Sequence, residues 1–247
     1  LVKLAKLERK SYWPSNVHRE VIENPATTKE VLQQLLLSKS ANLRGAVAFA
    51  HQTPLDLILG LEKDPDVSVR VAIAKRHDSP KNVQALLAGD TEVSVRLAVA
   101  ERKDLDMAIR EKLALDHDSD VKRTALQIGG FSDDFYARFF EMGGRNLPAR
   151  CINEIGDEKV LDLVAQDLGA SGARFDHISL VNILDRTSIP HSVFMTLAQY
   201  PECRKRIGVH PDIPAELLEE LAYDANEWTS TSALQNPMIP EAVMRDV

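Results

Sequence analysis

Basic residues recur at one position of a repeated segment, and they are the side chains best placed by their spacing to bind an anion. The column consists of His18, Arg44, Arg70, Arg96, Lys122 and, further along the chain, Arg204. Its first five members are spaced by 26 residues. A row of cations suits the carboxylates of an acidic protein or the phosphates of a nucleic acid. The column therefore predicts a partner-binding face.

The same column also has a structural interpretation. Three aspartates each precede a basic residue by six positions, so that Asp64, Asp90 and Asp116 stand before Arg70, Arg96 and Lys122. A stack of repeats must satisfy the polar groups of its turns, and a ladder of ion pairs would do so. The two interpretations are compatible if the guanidinium groups remain partly exposed.

A second candidate surface lies in the aromatic-rich segment 131–140. Phe135 and Phe139 fall on apolar positions that recur along the chain, which predicts that they are core residues. Tyr136 and Phe140 fall outside those positions, so they are the two aromatic side chains of the segment that are candidates for partner binding. Packing in the core, or filling a bend of the stack, is the favoured interpretation of the cluster.

Other residue types carry weaker signals. The segment 116–120 has the acidic spacing of the first half of a calcium loop, but Val121 replaces the glycine and Gln127 the final glutamate of that loop. An ordinary acidic turn is therefore predicted. Cys151 and Cys203 fall in mostly apolar columns and are expected to be buried thiols. We find no metal-ligand spacing among the histidines, no phosphate loop, no nucleophile elbow and no carboxylate dyad. Neither a metal nor a cofactor is therefore expected, and the sequence favours a non-catalytic protein.

These residues belong to a repeat that is clearest in 51–76 and 77–102, where 11 of 26 aligned positions are identical. Such a period is typical of a solenoid. Thr53 and Ser79, each followed by proline, are predicted to be N-caps of a first helix. Three apolar columns extend this frame through nine units, with these members: Val31, Leu57, Val83, Ile109, Phe135, Leu161, Val193, Leu217, Val243; Leu35, Leu61, Leu87, Leu113, Phe139, Ala165, Leu197, Leu221, Val247; Val21, Val47, Ile73, Val99, Ala125, Cys151, Ile183, Ile207, Ala233.

The frame predicts an all-α solenoid of about nine two-helix units in a single domain, 1–247. Residues 1–23, with Leu1, Leu4, Leu7 and the segment Tyr12-Trp13-Pro14, suit a divergent N-terminal cap. Regular repeats are expected at 24–126 and again at 189–247. Between them, 127–188 is irregular and carries an insertion, with a loop at Gly169, Ser171 and Gly172. The chain starts without Met and stops inside a first helix, which leads us to expect a fragment or a half-unit cap.

Composition narrows the function classes. The 247 residues carry a net charge of −7 and are 44% hydrophobic, so there is a core but no bulk attraction to nucleic acid or to an anionic membrane. No run of about 18 apolar residues is present, so no membrane span is predicted. Two cysteines are too few for a disulfide scaffold. We expect a cytoplasmic protein with no membrane partner.

The units resemble the leucine-rich repeat variant family and, in their longer period, HEAT-like repeats. The resemblance rests on Asn24-Pro25-Ala26-Thr27-Thr28, on the segment His210-Pro211-Asp212-Ile213-Pro214, and on the Asp-to-Ala runs 64–74 and 90–100. It implies a right-handed superhelix and an Asp/Arg ladder between units. It fixes no activity. The sequence therefore favours a non-catalytic scaffold that binds a protein partner on its concave face, with nucleic-acid binding through the basic column as the alternative. A third alternative is an enzyme, or a subunit that docks one, because residues 127–186 lie outside the repeat pattern.

Overall fold

A computed structural model describes residues 16–170, 177–186 and 188–246, and within these ranges it contains only helices and turns. The proposed N-terminal cap before residue 16 and the loop residues Ser171 and Gly172 lie outside the described residues. The chain divides into two compact units, Leu1–Ile128 and Gly129–Val247. Each is a stack of helical repeats, so the all-α repeat fold predicted from the sequence is confirmed.

The first unit contains nine described α-helices. In order these are α1 Asn16–Glu23, α2 Lys29–Leu36, α3 Ala41–Phe49, α4 Leu55–Ile58, α5 Val67–Ala74, α6 Lys81–Leu87, α7 Val93–Ala100, α8 Met107–Ala114 and α9 Ser119–Ile128. Repeats 1 to 4 are the pairs α2–α3, α4–α5, α6–α7 and α8–α9. Second helices of neighbouring repeats pack on each other, α3 against α5 and α5 against α7.

The second unit also contains nine described α-helices. In order these are α10 Asp133–Glu141, α11 Ala149–Glu154, α12 Glu158–Ala170, α13 His177–Leu184, α14 His191–Ala198, α15 Pro201–Gly208, α16 Ala215–Ala222, α17 Glu227–Leu234 and α18 Glu241–Asp246. Repeats 5 to 8 are consecutive pairs from α10 to α17, and α18 is the first helix of repeat 9. The loop predicted at Gly169 is wrong at that residue, because α12 continues through Gly169 to Ala170.

The core consists largely of the three apolar columns. Of their 27 members, 24 are buried at 8% exposure or less. Leu57 and Leu61 are half-buried, and Val247 lies outside the described residues. Neither helix of a repeat could hide its apolar stripe alone, so the repeats stabilise each other by stacking.

Both half-buried members lie in repeat 2, whose first helix is interrupted. Helix α4 ends at Ile58, Gly60 has φ of 102°, and a 3₁₀ turn follows at Leu61–Lys63. Glycine adopts this left-handed conformation without the penalty that other residues incur. In repeat 3 the equivalent residue is Leu86, and α6 runs unbroken from Lys81 to Leu87.

The predicted N-caps have a different role. The hydroxyl of Thr53 donates to the Val47 carbonyl at 2.7 Å, and that of Ser79 donates to the Ile73 carbonyl at 3.2 Å. Both carbonyls belong to the preceding second helix, whose last C=O groups lack helical partners. The N-cap position of the first helix is taken by the following proline, without a side-chain cap. The N-cap prediction is therefore wrong: these hydroxyls satisfy the end of the preceding helix.

Candidate functional site

Three arginines of the basic column each bind an aspartate of the next repeat. Nε of Arg44 donates to Asp64 at 2.9 Å, and Nη2 donates to its other carboxylate oxygen at 2.8 Å. The corresponding distances are 2.7 and 3.0 Å for Arg70 with Asp90, and 2.7 and 3.1 Å for Arg96 with Asp116. Each arginine lies on a second helix and each aspartate in the turn between the two helices of the next repeat. We call these three bidentate pairs the ladder.

Backbone hydrogen bonds complete each step of the ladder. Nη1 of Arg44, Arg70 and Arg96 donates to the carbonyl six residues before it, at 2.9 Å in all three cases. The aspartate accepts the backbone N–H two residues after it, at 2.8–2.9 Å. One guanidinium thus joins the turn of its own repeat to the turn of the next.

The ladder carboxylates remain ionised because their partners outweigh their burial. Burial raises the pKa of Asp64, Asp90 and Asp116, but the arginine hydrogen bonds, the backbone N–H and the nearby positive charge together hold each pKa below its usual value. The arginine pKa values are raised by the same pairs. The side chains of Arg44, Arg70 and Arg96 are only 14%, 13% and 5% exposed. The positive charges of these three arginines are therefore neutralised by aspartates of the protein itself.

The other members of the basic column are placed differently. His18 is buried, and Ser38 stands where the ladder would have an aspartate. Lys122 is half-buried and forms no ion pair with a described residue; its counterpart position holds Met142. The structure therefore brings three of the six predicted residues into one regular geometry.

Arg204 in repeat 7 keeps a reduced form of the ladder. Its Nε donates to the Ala198 carbonyl at 2.7 Å, and Nη1 donates to Asp224 at 2.6 Å. Within the described chain no acceptor lies on Nη2, and the side chain is 31% exposed. Asp224 accepts the Asn226 N–H, which with Arg204 lowers its pKa despite burial. Arg204 is thus the column's accessible arginine with a spare donor.

A second polar column was not found from the sequence. Arg76 and Arg102 are almost fully buried, and each donates from Nη1 to two carbonyls at the end of the preceding repeat's second helix, Ala48 and Ala50 for Arg76. Asn236 makes the same pair of bonds to Gly208 and His210, both at 2.9 Å. The sequence does contain a sign of this column, because arginine occupies the same position, 76 and 102, in the two clearest repeats.

Tyr136, a candidate for partner binding, is fully buried in the structure, which agrees with the favoured interpretation of core packing. Its hydroxyl donates to Glu154 at 3.0 Å, and burial raises its pKa far above the usual value. The reason is that the first helix buries a wider face than the two predicted columns, as the buried Leu32 and Ile58 at the equivalent position show. Phe140 is half-buried, packs edge-on against Phe139 at 5.5 Å, and lines a cavity.

That cavity, of about 480 Å³, lies in the second unit between the turn after α10, helix α12 and helix α14. Phe140, Arg145 and Leu163 line one part of it, and Gln166, Gln199 and Tyr200 another. The regular ladder is absent at the neighbouring joints, where Pro148 and Leu180 occupy the arginine position.

Trp228 is the most exposed aromatic side chain of the described residues, at 71%. It lies at the start of α17, and the Lys205 ammonium of α15 sits 4.9 Å from the centre of its ring. With Pro201, Glu202, Asn226 and Thr229, these residues line a shallow groove between the second helices of repeats 7 and 8.

The remaining candidates are structural where the structure describes them. Asp118 caps α9 by accepting from the N–H groups of Asp120 and Val121, as the acidic-turn interpretation predicts. Burial raises the pKa of Cys151 to about 11 and that of Cys203 to about 12, so both thiols remain protonated near neutral pH. Over 16–170, 177–186 and 188–246 no cluster of metal-ligating side chains is found, and none of the helices there has the length and apolar character needed to cross a membrane.

Comparison with known proteins finds one similar solved structure. No family model and no curated protein matches this sequence. A solved structure described as a leucine-rich repeat variant with a novel repetitive protein structural motif is similar to this chain, with 20% sequence identity and a TM-score of 0.46. The alignment covers 93% of this chain and 80% of that one.

Proposed function

We propose that this chain is a non-catalytic repeat scaffold that binds a protein partner through the exposed face of α15 and α17. The proposal concerns the second-helix face, which the sequence resemblance predicts to be concave. It departs from the basic column as a whole, because Arg44, Arg70 and Arg96 have their donors occupied by carboxylates and carbonyls of the protein itself. For the same reason the ladder lends no support to a nucleic-acid interface.

The observation that carries the proposal is the exposure of Trp228 at a position that is polar in most other repeats. The equivalent residues on second helices are Asn42, Ser68, Ser94, Asp120 and Glu202, and Asn146 stands just before α11; all six are exposed. Repeat 6 has Ile178 at this position, and its side chain is not among those described. Most of these lie in the middle of a stack, so the position faces outward and does not pack between repeats. A tryptophan is not needed there for the repeats to stack, whereas buried aromatic residues dominate the affinity of protein interfaces.

The surroundings of Trp228 suit a protein partner. Lys205 covers part of the ring as a cation–π contact, and Arg204 keeps its Nη2 available for a carboxylate or carbonyl. Glu202 and Glu227 are exposed nearby, so the surface mixes both charges around one apolar side chain. Such a polar rim around an aromatic anchor is the usual composition of an interface.

Site-specific crosslinking tests this proposal. A photoreactive phenylalanine analogue is placed at position 228 and, as the matched control, at Ser94, which occupies the same helix position in repeat 3. We expect one protein to be captured in native lysate from position 228 and not from position 94. With that protein purified, Trp228→Ala should weaken binding by tens of fold, about 2 kcal/mol or more. Equal capture at both positions, or an affinity unaffected by Trp228→Ala, would contradict the proposal.

A further inference from the structure

The cavity beside Phe140 is a second candidate site, separate from the Trp228 surface. We infer that it binds an uncharged, extended peptide segment that places an aromatic or large aliphatic side chain against Phe140 and Leu163. Its volume of about 480 Å³ lies within the roughly 300–1,000 Å³ of ligand-binding pockets. The inference does not depend on the partner proposed for Trp228.

The wall formed by the turn after α10 is held in place before any ligand arrives. Asp167 accepts the Asn146 N–H at 2.7 Å and Nη1 of Arg145 at 3.1 Å. Gly144 donates to the Phe139 carbonyl at 2.8 Å, and a Cβ at this residue would lie 2.5 Å from that oxygen. Only glycine fits there. Binding to such a wall avoids the entropy cost of ordering a loop.

The charges of the cavity cancel, and this argues for an uncharged ligand. Arg145 and Asp167 are its charged lining residues in the described chain, and they are paired with each other. Asp167 is buried, and its two oxygens are engaged by Arg145 and Asn146. A cationic ligand would therefore find no free carboxylate. An anionic ligand would meet Arg145, which is 64% exposed but whose charge is balanced by the adjacent Asp167.

The uncharged polar groups of the cavity match a peptide backbone. Gln166 and Gln199 are exposed, Tyr200 is half-buried, and their side chains form no hydrogen bond with a described residue. Each amide offers one kind of donor and one acceptor, as does each peptide group. Phe140, Leu163 and the Tyr200 ring supply the apolar surface for one side chain. A sugar could use the same amides, but its hydroxyl groups would find no free carboxylate in the cavity to donate to.

Titration of the whole chain by NMR tests the inference with defined probes. The probes are the capped tripeptides Ac-Ser-Phe-Ser-NH₂, Ac-Ser-Glu-Ser-NH₂ and Ac-Ser-Lys-Ser-NH₂, and the disaccharide maltose. We expect the phenylalanine peptide to shift the amide signals of Gly143, Gly144, Gln166 and Gln199 with millimolar affinity, and the charged peptides to bind more weakly.

Two variants locate the binding. Gln199→Ala should weaken the phenylalanine peptide about tenfold, because one side-chain hydrogen bond is lost and its apolar neighbour stays in place. Gln127→Ala, which removes an exposed glutamine of the first unit, should leave the affinity unchanged. No binding of the phenylalanine peptide, shifts outside the cavity, equal binding of the charged peptides, or a response to maltose alone would each overturn the inference. Because the probes are peptides and not a lysate protein, none of these results bears on the Trp228 proposal.

Discussion

Arg96 donates two hydrogen bonds to the carboxylate of Asp116, which lies 20 residues later in the chain and in the next repeat. The same guanidinium donates a third bond to the Asp90 carbonyl of its own repeat. The arginines that stand out most in the sequence therefore join neighbouring repeats. The side chains open to a ligand lie where the ladder is reduced or missing, namely Arg204 with Trp228, and Phe140.

Acid should weaken the stack through the ladder aspartates. Because the folded-state pKa of Asp90 is lowered, its contribution is fully present above the unfolded-state pKa, about 3.9, and is lost as the pH falls through the lower folded-state value. We expect the free energy of unfolding of the wild type to fall below about pH 4. Asp90→Asn should be less stable at neutral pH and should show a smaller further loss over the acid window.

Urea unfolding of both proteins as a function of pH measures this. Asp185→Asn is the control, because Asp185 is exposed and forms no ion pair within the described residues. An acid slope that is the same in Asp90→Asn as in the wild type would show that this aspartate does not couple protonation to folding.

His210 occupies the second polar column in repeat 7, 26 residues before Asn236, and this column should tolerate exchange between its own residue types. The His210 Nε2 lies 2.8 Å from the Leu184 carbonyl while Nδ1 accepts the Asp212 N–H, so Nε2 carries the hydrogen and donates. His210→Asn should cost less than about 1 kcal/mol, since Asn236 makes comparable bonds one repeat later. Asn236→Ala, which strands two carbonyls, should cost about 1–3 kcal/mol. Thermal unfolding of the two variants checks the order, and a more damaging His210→Asn would contradict it.

Trp228 should matter for binding and not for folding. At 71% exposure its replacement by alanine should change the free energy of unfolding by no more than about 0.5 kcal/mol, as is usual for surface substitutions. Phe194→Ala, at a fully buried position of the same unit, should cost about 3–5 kcal/mol. Urea denaturation compares the two. A large loss of stability in Trp228→Ala would mean that the side chain packs within the stack.

Much of the fold was predictable because the apolar columns depend only on local periodicity. Leu113 and Val99, for example, are members of these columns and are fully buried. The ladder was predictable in kind but not in partner. The sequence places Asp64 six residues before Arg70, yet Asp64 binds Arg44 and Arg70 binds Asp90. Which aspartate faces which arginine depends on the offset between stacked repeats, and spacing within one repeat does not contain that offset.

The candidate sites were less predictable for a related reason. Tyr136 was a candidate for partner binding because the two apolar columns cover only part of the buried face of the first helix. Trp228 stands out only once the residues described at its position are seen to be exposed. The cavity beside Phe140 is lined by residues that lie far apart in the sequence, such as Phe140, Leu163 and Gln199, so no local motif predicts it.

The claim that the basic column builds the stack is tested most directly by a double-mutant cycle on Arg96 and Asp116. Arg96→Met and Asp116→Leu should each lower the free energy of unfolding by about 3–5 kcal/mol, because each leaves a buried charge unpaired. The double variant should recover part of this loss, with a coupling energy above about 1.5 kcal/mol. The exposed pair Arg123 and Asp120 serves as the control, with coupling of about 0.2–1 kcal/mol. Additive effects at Arg96 and Asp116, within about 0.5 kcal/mol, would contradict the structural role of the ladder.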